Sequence, residues 1–352
     1  MSEGALPDPK FWRGKRVLLT GHTGFKGAWA ALWLNRMGAE LTGLALPAAA
    51  TSLYCLANAP GGDAWICDLR DAGRVNSIVR AAEPEIIIHM AAQALVRPSI
   101  EQPAETMAIN VGGTINLLEA ARNLPAVRAI LIVTSDKVYR NDGDRRRFSE
   151  TDPLGGKDPY SASKAACEIV TASYRDTFFK PRHIPVATAR AGNVIGGGDF
   201  SEYRIVPDCV RAAEAKRPLS LRHPDATRPW QHVLDCLAGY FLFVERLAAG
   251  KPFRQSLNFG PAGDSPITVG HLAAAIIQGL NANIEVRHEP IPGSIEAPSL
   301  SLDPTLARSE LSWRERLPAE KAISETAAWY RAYLNRENVS RATNAALDNY
   351  LS

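Results

Sequence analysis

Short apolar runs alternate with longer stretches of helical periodicity along most of this chain. Arg16 to Thr20, Glu40 to Leu46, Trp65 to Leu69, Glu85 to Met90, Ala129 to Val133 and Val186 to Ala189 read as strands, rich in aliphatic and β-branched residues. Between them lie segments that read as helices. One runs through Met37, one starts at Asp71, one holds Asn110–Thr114 and continues to Arg122, and one opens at Asp158 with Pro159 in its first turn. Strand and helix in alternation predict a parallel sheet with helices on both faces, and a run as apolar as Ala129–Val133 reads as a strand buried on both sides. From residue 191 the regularity gives way to a Pro- and Arg-rich part closed by helices near Val269 to Leu280 and Glu320 to Leu334. Residues 1 to 15 read as a polar extension, and the stretch after Arg336 as a polar tail.

Composition narrows the class. With 352 residues and 46% apolar content the chain can bury one large core or two modest ones. A formal net charge of +3 and the lack of a long basic block argue against a nucleic-acid partner. The densest basic cluster, Arg145-Arg146-Arg147, lies beside Asp142 and Asp144 and reads as a solvated loop. Five cysteines (Cys55, Cys67, Cys167, Cys209, Cys236) without CxxC spacing read as reduced thiols, and the scattered histidines predict no metal site. No apolar run approaches the roughly 18 residues of a membrane span, and the first residues lack a signal-peptide pattern. The expectation is a cytoplasmic, enzyme-sized protein with no membrane partner.

The first strand runs directly into Gly21-His22-Thr23-Gly24-Phe25-Lys26-Gly27 and then a helix. That context makes the glycine pattern a dinucleotide fingerprint. The first glycine permits the tight turn, the second lets backbone approach a pyrophosphate at the helix N-terminus, and the third lets helix pack on strand. The architecture expected is thus a Rossmann-type, doubly wound α/β domain over residues 1–190. A smaller mixed α/β substrate domain over 191–335 follows, with some chain returning to the first domain, and then a tail over 336–352. The second strand ends at Pro47 with neither an acid nor an arginine, which leaves NAD against NADP open at that position. Asp68, followed by Leu69 at the end of the third strand, can accept a hydrogen bond from adenine; alternatively it caps the next helix. Ala91, Ala92 and Gln93 suit a chain lying against a cofactor, and Asn110 and Thr134 are further cofactor-facing candidates.

The strand Ala129–Val133 leads into Thr134-Ser135-Asp136-Lys137, at the end of a strand where the crevice of such sheets lies. Downstream, Tyr160 and Lys164 lie one helical turn apart on one face. An ammonium beside a phenol favours the phenolate, so Tyr160 is expected to act as a base well below its ordinary pKa of about 10, with Ser135 orienting the substrate oxygen. In the later part, Asn193, Arg204, Arg228, Trp230 and His232 are candidates for a nucleotide diphosphate and its base, since arginine forks suit phosphate oxygens and aromatic faces stack bases.

These residues converge on one resemblance. The glycine loop, Tyr160-x-x-x-Lys164 and ArgProTrpGlnHisVal resemble the nucleotide-sugar branch of the extended short-chain dehydrogenases/reductases. Thr134-Ser-Asp-Lys-Val-Tyr139, ProLeuGlyGlyLysAspProTyrSerAlaSerLys and AsnValIleGlyGlyGlyAspPhe narrow it to the CDP-glucose 4,6-dehydratases, over roughly residues 9 to 335. Gly198–Arg204 departs from the Trp-Ala-x-Asp-Arg pattern of that family. The resemblance implies a recycled NAD, CDP-D-glucose as substrate, a homodimer or homotetramer, and a product suited to deoxysugars of surface polysaccharide. For such a reaction Tyr160, with Lys164 and Ser135, would take the C4 proton. Asp136, kept neutral by burial, would protonate the departing C6 oxygen, and Lys137 in its neutral form would take the C5 proton. The competing readings are a dehydratase for another nucleotide, a 4-epimerase, which needs no acid at C6, and a non-catalytic dinucleotide-binding regulator.

Overall fold

In a computed structural model that describes residues 4–143, 146–251, 253–261, 267–289 and 300–352, the apolar runs assemble into one seven-stranded parallel sheet. Its strands are β1 (Arg16–Thr20), β2 (Glu40–Ala45), β3 (Asp63–Ile66), β4 (Ile86–His89), β5 (Ala129–Val133), β6 (Val186–Ala191) and β7 (Ser256–Phe259). They lie in the order 3-2-1-4-5-6-7, so the winding direction reverses between β1 and β4, where Val17 pairs with Ile86. A crevice at the carboxyl ends of the strands follows from that reversal. Every residue of β5 and β6 is buried, as strands covered on both faces must be. Period-two alternation sorts the side chains. Leu18, Ile87 and Ile130 enter one core and Leu19, Ile88 and Leu131 the other.

The α/β doubly wound expectation therefore holds, and β7 with the helix Val233–Ala248 brings the later chain back onto the sheet. Beyond β6 the chain also forms the helices Ile205–Glu214 and Val269–Gly279. Small two-stranded pieces accompany them, one parallel (Val286 with Leu219) and one antiparallel (Thr227 with Thr268). No helix among the described residues is long and apolar enough to cross a membrane.

Three expectations are corrected. The third strand is Asp63–Ile66, not Trp65–Leu69. It is the sheet's edge, all four of its residues are exposed, and Cys67 and Leu69 enter the core from the connection that follows. The first residues are not a mere extension. Asp8 caps a short helix, Pro9–Trp12, that buries Trp12 completely and ties its indole N–H to Glu245 Oε1 at 2.7 Å. The polar tail is a folded helix, Val339–Leu351, whose Thr343, Leu347 and Tyr350 face inward. Tyr350 packs edge-on to Trp33 of the helix that follows the glycine loop. In the basic loop, Asp144 and Arg145 lie outside the described residues, and Arg146 pairs with Asp152 at 2.8 Å.

Candidate active site

β5 delivers Thr134 and Ser135 to the carboxyl edge of the sheet, where a single 3-10 turn, Asp136–Val138, reverses the chain. Ser135 caps that turn by accepting from the Lys137 amide at 3.2 Å, and its hydroxyl donates to Asp136 Oδ1 at 3.0 Å. Asp136 is 3% exposed, and its Oδ2 has no hydrogen-bond partner among the described residues. Burial raises the Asp136 pKa, while the charges of Lys137, Arg228 and Lys26 oppose the shift. A carboxyl with one free oxygen, held toward its neutral form, is equipped to donate a proton. Lys137 follows it, half-buried.

The helix Pro159–Tyr174 carries the other half of the site. Asp158 caps it through the Ser161 amide at 3.0 Å, Pro159 starts it, and the Tyr160 amide donates to Ser99 Oγ at 3.1 Å. Tyr160 and Lys164 are both buried. The expected depression of the tyrosine is corrected. Burial pushes the Tyr160 phenol up to about 12, opposed by hydrogen bonding with Ser135 and by the charge of Arg204. Lys164 instead donates to the Val133 carbonyl at 3.1 Å, and burial lowers its own pKa. The structure thus brings together Ser135, Asp136, Lys137, Tyr160, Lys164 and, electrostatically, Arg204 and Arg228.

The glycine loop fits a dinucleotide. Gly21 has φ +76°, and a Cβ there would stand 2.8 Å from the Ala91 amide nitrogen, so the two strand ends meet backbone to backbone. A Cβ on Gly27 would lie 2.0 Å from the Gly21 carbonyl oxygen. Gly24 caps the helix Phe25–Arg36 without a side chain, leaving that N-terminus to a ligand. Lys26 runs inward, its ammonium 5.7 Å from the Tyr240 ring centre, and Thr23 donates to the Leu46 carbonyl at 3.0 Å. Phe25 packs on the core.

Several cofactor candidates engage protein partners. The His22 ring is fully buried over Gly43 and edge-on to Tyr54, and burial lowers its pKa, so only its backbone faces the loop. Asp68 is held by Arg70, with contacts of 2.6 to 3.1 Å, and the helix cap is Asp71, not Asp68. Leu69 is core. Thr134 donates to Glu168 at 2.5 Å. Asn110, in a π-helical turn, Ala108–Gly112, accepts from the Gln93 amide (2.8 Å) and donates to the Gln93 carbonyl (3.0 Å) and to Ser163 Oγ (2.8 Å). Its amide joins the loop after β4 to the Tyr160 helix. Ala91 and Ala92 are half-buried at the strand end, and the Ala91 amide donates to Thr20 Oγ1 at 3.1 Å.

Among the later candidates, Arg204 stands at the N-cap position of the helix Ile205–Glu214 and donates to Asp199 Oδ2 at 2.9 Å. Arg228 is buried with its charge reaching Asp136, and it donates to the Thr227 carbonyl at 2.8 Å. Asn193 is half-buried, just beyond β6. Trp230 and His232 do not present ring faces to a ligand. Both are buried; the Trp230 indole donates to the Ile267 carbonyl at 3.1 Å, and His232 Nδ1 accepts the Leu234 amide at 3.3 Å to cap the helix Val233–Ala248.

Residues 18–326 match the family model described as GDP-mannose 4,6 dehydratase. The chain belongs to this family. A CDP-glucose 4,6-dehydratase of Salmonella typhimurium is 38% identical over 98% of each chain. A probable dTDP-glucose 4,6-dehydratase of Sinorhizobium fredii is 27% identical over 90% of this chain and 92% of its own. Among solved structures, a UDP-glucose 4-epimerase of Thermus thermophilus in complex with NAD superposes with a TM-score of 0.76, at 26% identity over 90% of this chain and 98% of the other. The dehydratase family thus shares its fold with epimerases, and what separates the two chemistries must be read from the residues at the β5 edge.

Proposed function

We propose that the chain is an NAD-dependent CDP-glucose 4,6-dehydratase, converting CDP-D-glucose to CDP-4-keto-6-deoxyglucose and water. One observation carries the reading: a buried carboxyl, Asp136, stands beside Ser135 with an unpartnered oxygen and a pKa raised by burial. Epimerisation at C4 has no use for such an acid, whereas loss of the C6 hydroxyl needs one. Cytidine as the base and glucose as the sugar rest on the Salmonella relative and on the Ser135-Asp136-Lys137 signature.

NAD would lie across the crevice with its pyrophosphate on the amides from Gly21 to Gly27 and the remainder against Ala91 and Ala92. Bound there, NAD supplies the hydride acceptor for C4 and the donor that returns the same hydride to C6. Tyr160 takes the C4 hydroxyl proton while Ser135 holds that oxygen. Because burial raises the phenol, ionising it needs positive charge close by; the Arg204 guanidinium favours the phenolate, and Lys164, one turn away, adds to it in its ammonium form although burial lowers its own pKa. The 4-keto group then acidifies the C5 proton, which Lys137 removes as Asp136 protonates the leaving C6 oxygen. Arg204 and Arg228 hold the diphosphate, and Asn193 the sugar side of the same cleft.

The deciding experiment incubates the protein with CDP-glucose and catalytic NAD in deuterated water and follows the sugar by NMR. A new C6 methyl, a hydrated 4-keto carbon and deuterium at C5 are expected. An untouched CDP-glucose with turnover of dTDP-, UDP- or GDP-glucose would replace the nucleotide in this reading, and inertness toward all of them would overturn it. We further infer that the protein works in the cytoplasm as a homodimer or homotetramer, as the resemblance implies; light scattering of the purified protein tests the assembly.

A further inference from the structure

Tyr160, Lys164 and Glu168 follow one another at four-residue intervals on the helix Pro159–Tyr174 and so share one face. The first two enter the proposed chemistry. The Glu168 carboxylate is buried and fully engaged. Oε1 accepts from Thr134 Oγ1 (2.5 Å) and Arg190 Nε (2.9 Å), and Oε2 from Thr188 Oγ1 (2.7 Å) and Arg190 Nη2 (2.8 Å). The third nitrogen of the same guanidinium, Arg190 Nη1, donates to the Tyr139 hydroxyl at 2.7 Å, and that hydroxyl donates to Asn258 Oδ1 at 2.7 Å. Thr134 immediately precedes Ser135-Asp136-Lys137, and Tyr139 follows the turn they form. Both flanks of that turn are thereby referred to one carboxylate on the helix that carries Tyr160.

We propose that Glu168 and Arg190 are positioning residues, a clamp that fixes the Asp136–Lys137 elimination pair relative to Tyr160. The proposal rests on the dehydration reading. Dehydration asks separate pieces of chain to address neighbouring carbons of one sugar ring: Tyr160 on the helix, with Ser135 at the end of β5, acts at C4, and Asp136 and Lys137 on the turn beyond act at C6 and C5. A misplacement of about 1 Å between such groups costs on the order of 100-fold in rate. The helix end has its own anchors, since the Tyr160 amide bonds Ser99 and Lys164 bonds Val133. Lys164 also holds the end of β5 through the Val133 carbonyl, and Ser135 bonds Tyr160, so loosening the clamp leaves Ser135 and Tyr160 in register and frees mainly Asp136 and Lys137 beyond them. A guanidinium suits this task because its planar fork engages the carboxylate with two nitrogens and still directs a third at Tyr139.

The test uses the NAD-loaded protein with Tyr139→Phe, which removes only the hydroxyl link, and Arg190→Lys, which keeps the charge and loses the fork. Two half-reactions are followed separately: reduction of bound nicotinamide by its near-ultraviolet absorbance, and deuterium uptake at C5. Both variants are expected to slow C5 exchange and water loss about ten-fold or more while changing the C4 step by no more than about two-fold, the split a positional error on the turn alone produces. Amide hydrogen exchange at Lys137 and Val138 is expected to accelerate, with Ala162 to Ala165 unchanged. Equal loss of both half-reactions, or turn amides no faster than in the parent protein, would overturn the proposal. Should the parent leave every nucleotide hexose untouched, the dehydration reading fails on its own, and the amide exchange still decides whether the clamp holds the turn.

Discussion

Ser135 donates its hydroxyl to one oxygen of the neighbouring Asp136, at 3.0 Å, and leaves the other oxygen buried and free. The pairing orients the carboxyl without consuming it, and burial keeps its proton available. Asp136→Asn keeps the shape and removes the acid. Water loss is expected to fall by about 10²- to 10⁴-fold, the usual worth of a positioned proton donor. Oxidation at C4 should persist, visible as reduced nicotinamide that stays on the enzyme after CDP-glucose is added. An equal fall in both steps, in a protein that folds normally, would remove Asp136 from the C6 role.

Lys137 stands beside Asp136 on the same turn, and its role separates from that of the acid by isotope. With Lys137→Met, exchange of the C5 proton with deuterated solvent is expected to drop by about 100-fold or more while C4 oxidation continues, since only the C5 base is lost. NMR of the recovered CDP-hexose measures it. Continued C5 exchange at the parent rate would assign that proton to another group.

How much of this was legible in the sequence depended on whether a pattern encodes side-chain direction. β1 and β5 are legible to the residue, because the interior of each strand is buried on both faces and carries no polar position to blur it. β3 was displaced because an edge strand exposes Trp65 and Ile66, while the apolar residues that follow are in the core without being in the sheet. The terminal helices hide in polar composition, with Trp12, Thr343, Leu347 and Tyr350 as their buried residues. At the site, the spacing of Tyr160 and Lys164 and the position of Ser135-Asp136 at a strand end are enough to predict that these side chains lie together. The residue types of Thr134, Asn110, Trp230 and His232 suit ligand contacts, yet each turns its side chain to a protein partner. Glu168 was missed, although one more four-residue step from Tyr160 and Lys164 leads to it. Arg190 was missed because nothing in a linear sequence says which arginine meets a buried acid.

The glycine loop makes a prediction about cofactor retention. A Cβ on residue 27 would stand 2.0 Å from the Gly21 carbonyl oxygen, a backbone atom that cannot swing aside. Gly27→Ala must therefore push the helix Phe25–Arg36 away from the turn proposed to receive the pyrophosphate. Affinity for NAD is expected to fall by about 100-fold or more, in line with losing several backbone hydrogen bonds to a charged group. Calorimetric titration of the cofactor-stripped protein measures this. Retention of NAD at the parent affinity would place the dinucleotide elsewhere.

The C-terminal helix makes the last prediction, and it depends on pH. The Tyr350 hydroxyl donates to Asp235 Oδ1 at 2.8 Å, and the same carboxyl receives the Arg316 amide at 2.8 Å and the Leu317 amide at 3.2 Å. Burial raises the Asp235 pKa to about 6, against an ordinary value of 3.8. Between those values the folded chain binds more protons than the unfolded one, so this group's contribution to stability declines as pH rises from about 4 to about 6 and then levels off. Tyr350→Phe removes a donor that favours the ionised form, so the folded pKa moves further up and the decline deepens and extends to higher pH. Below pH 5 the variant is expected to lose about 1 kcal/mol, the worth of a neutral hydrogen bond, and above pH 7 about 2 kcal/mol, the worth of one to a carboxylate. Denaturant unfolding of both proteins at the two pH values measures the difference. A penalty equal at the two pH values would mean that Asp235 does not change ionisation between them, and one that shrinks as pH rises would mean that the tyrosine favours the neutral carboxyl; either overturns the prediction.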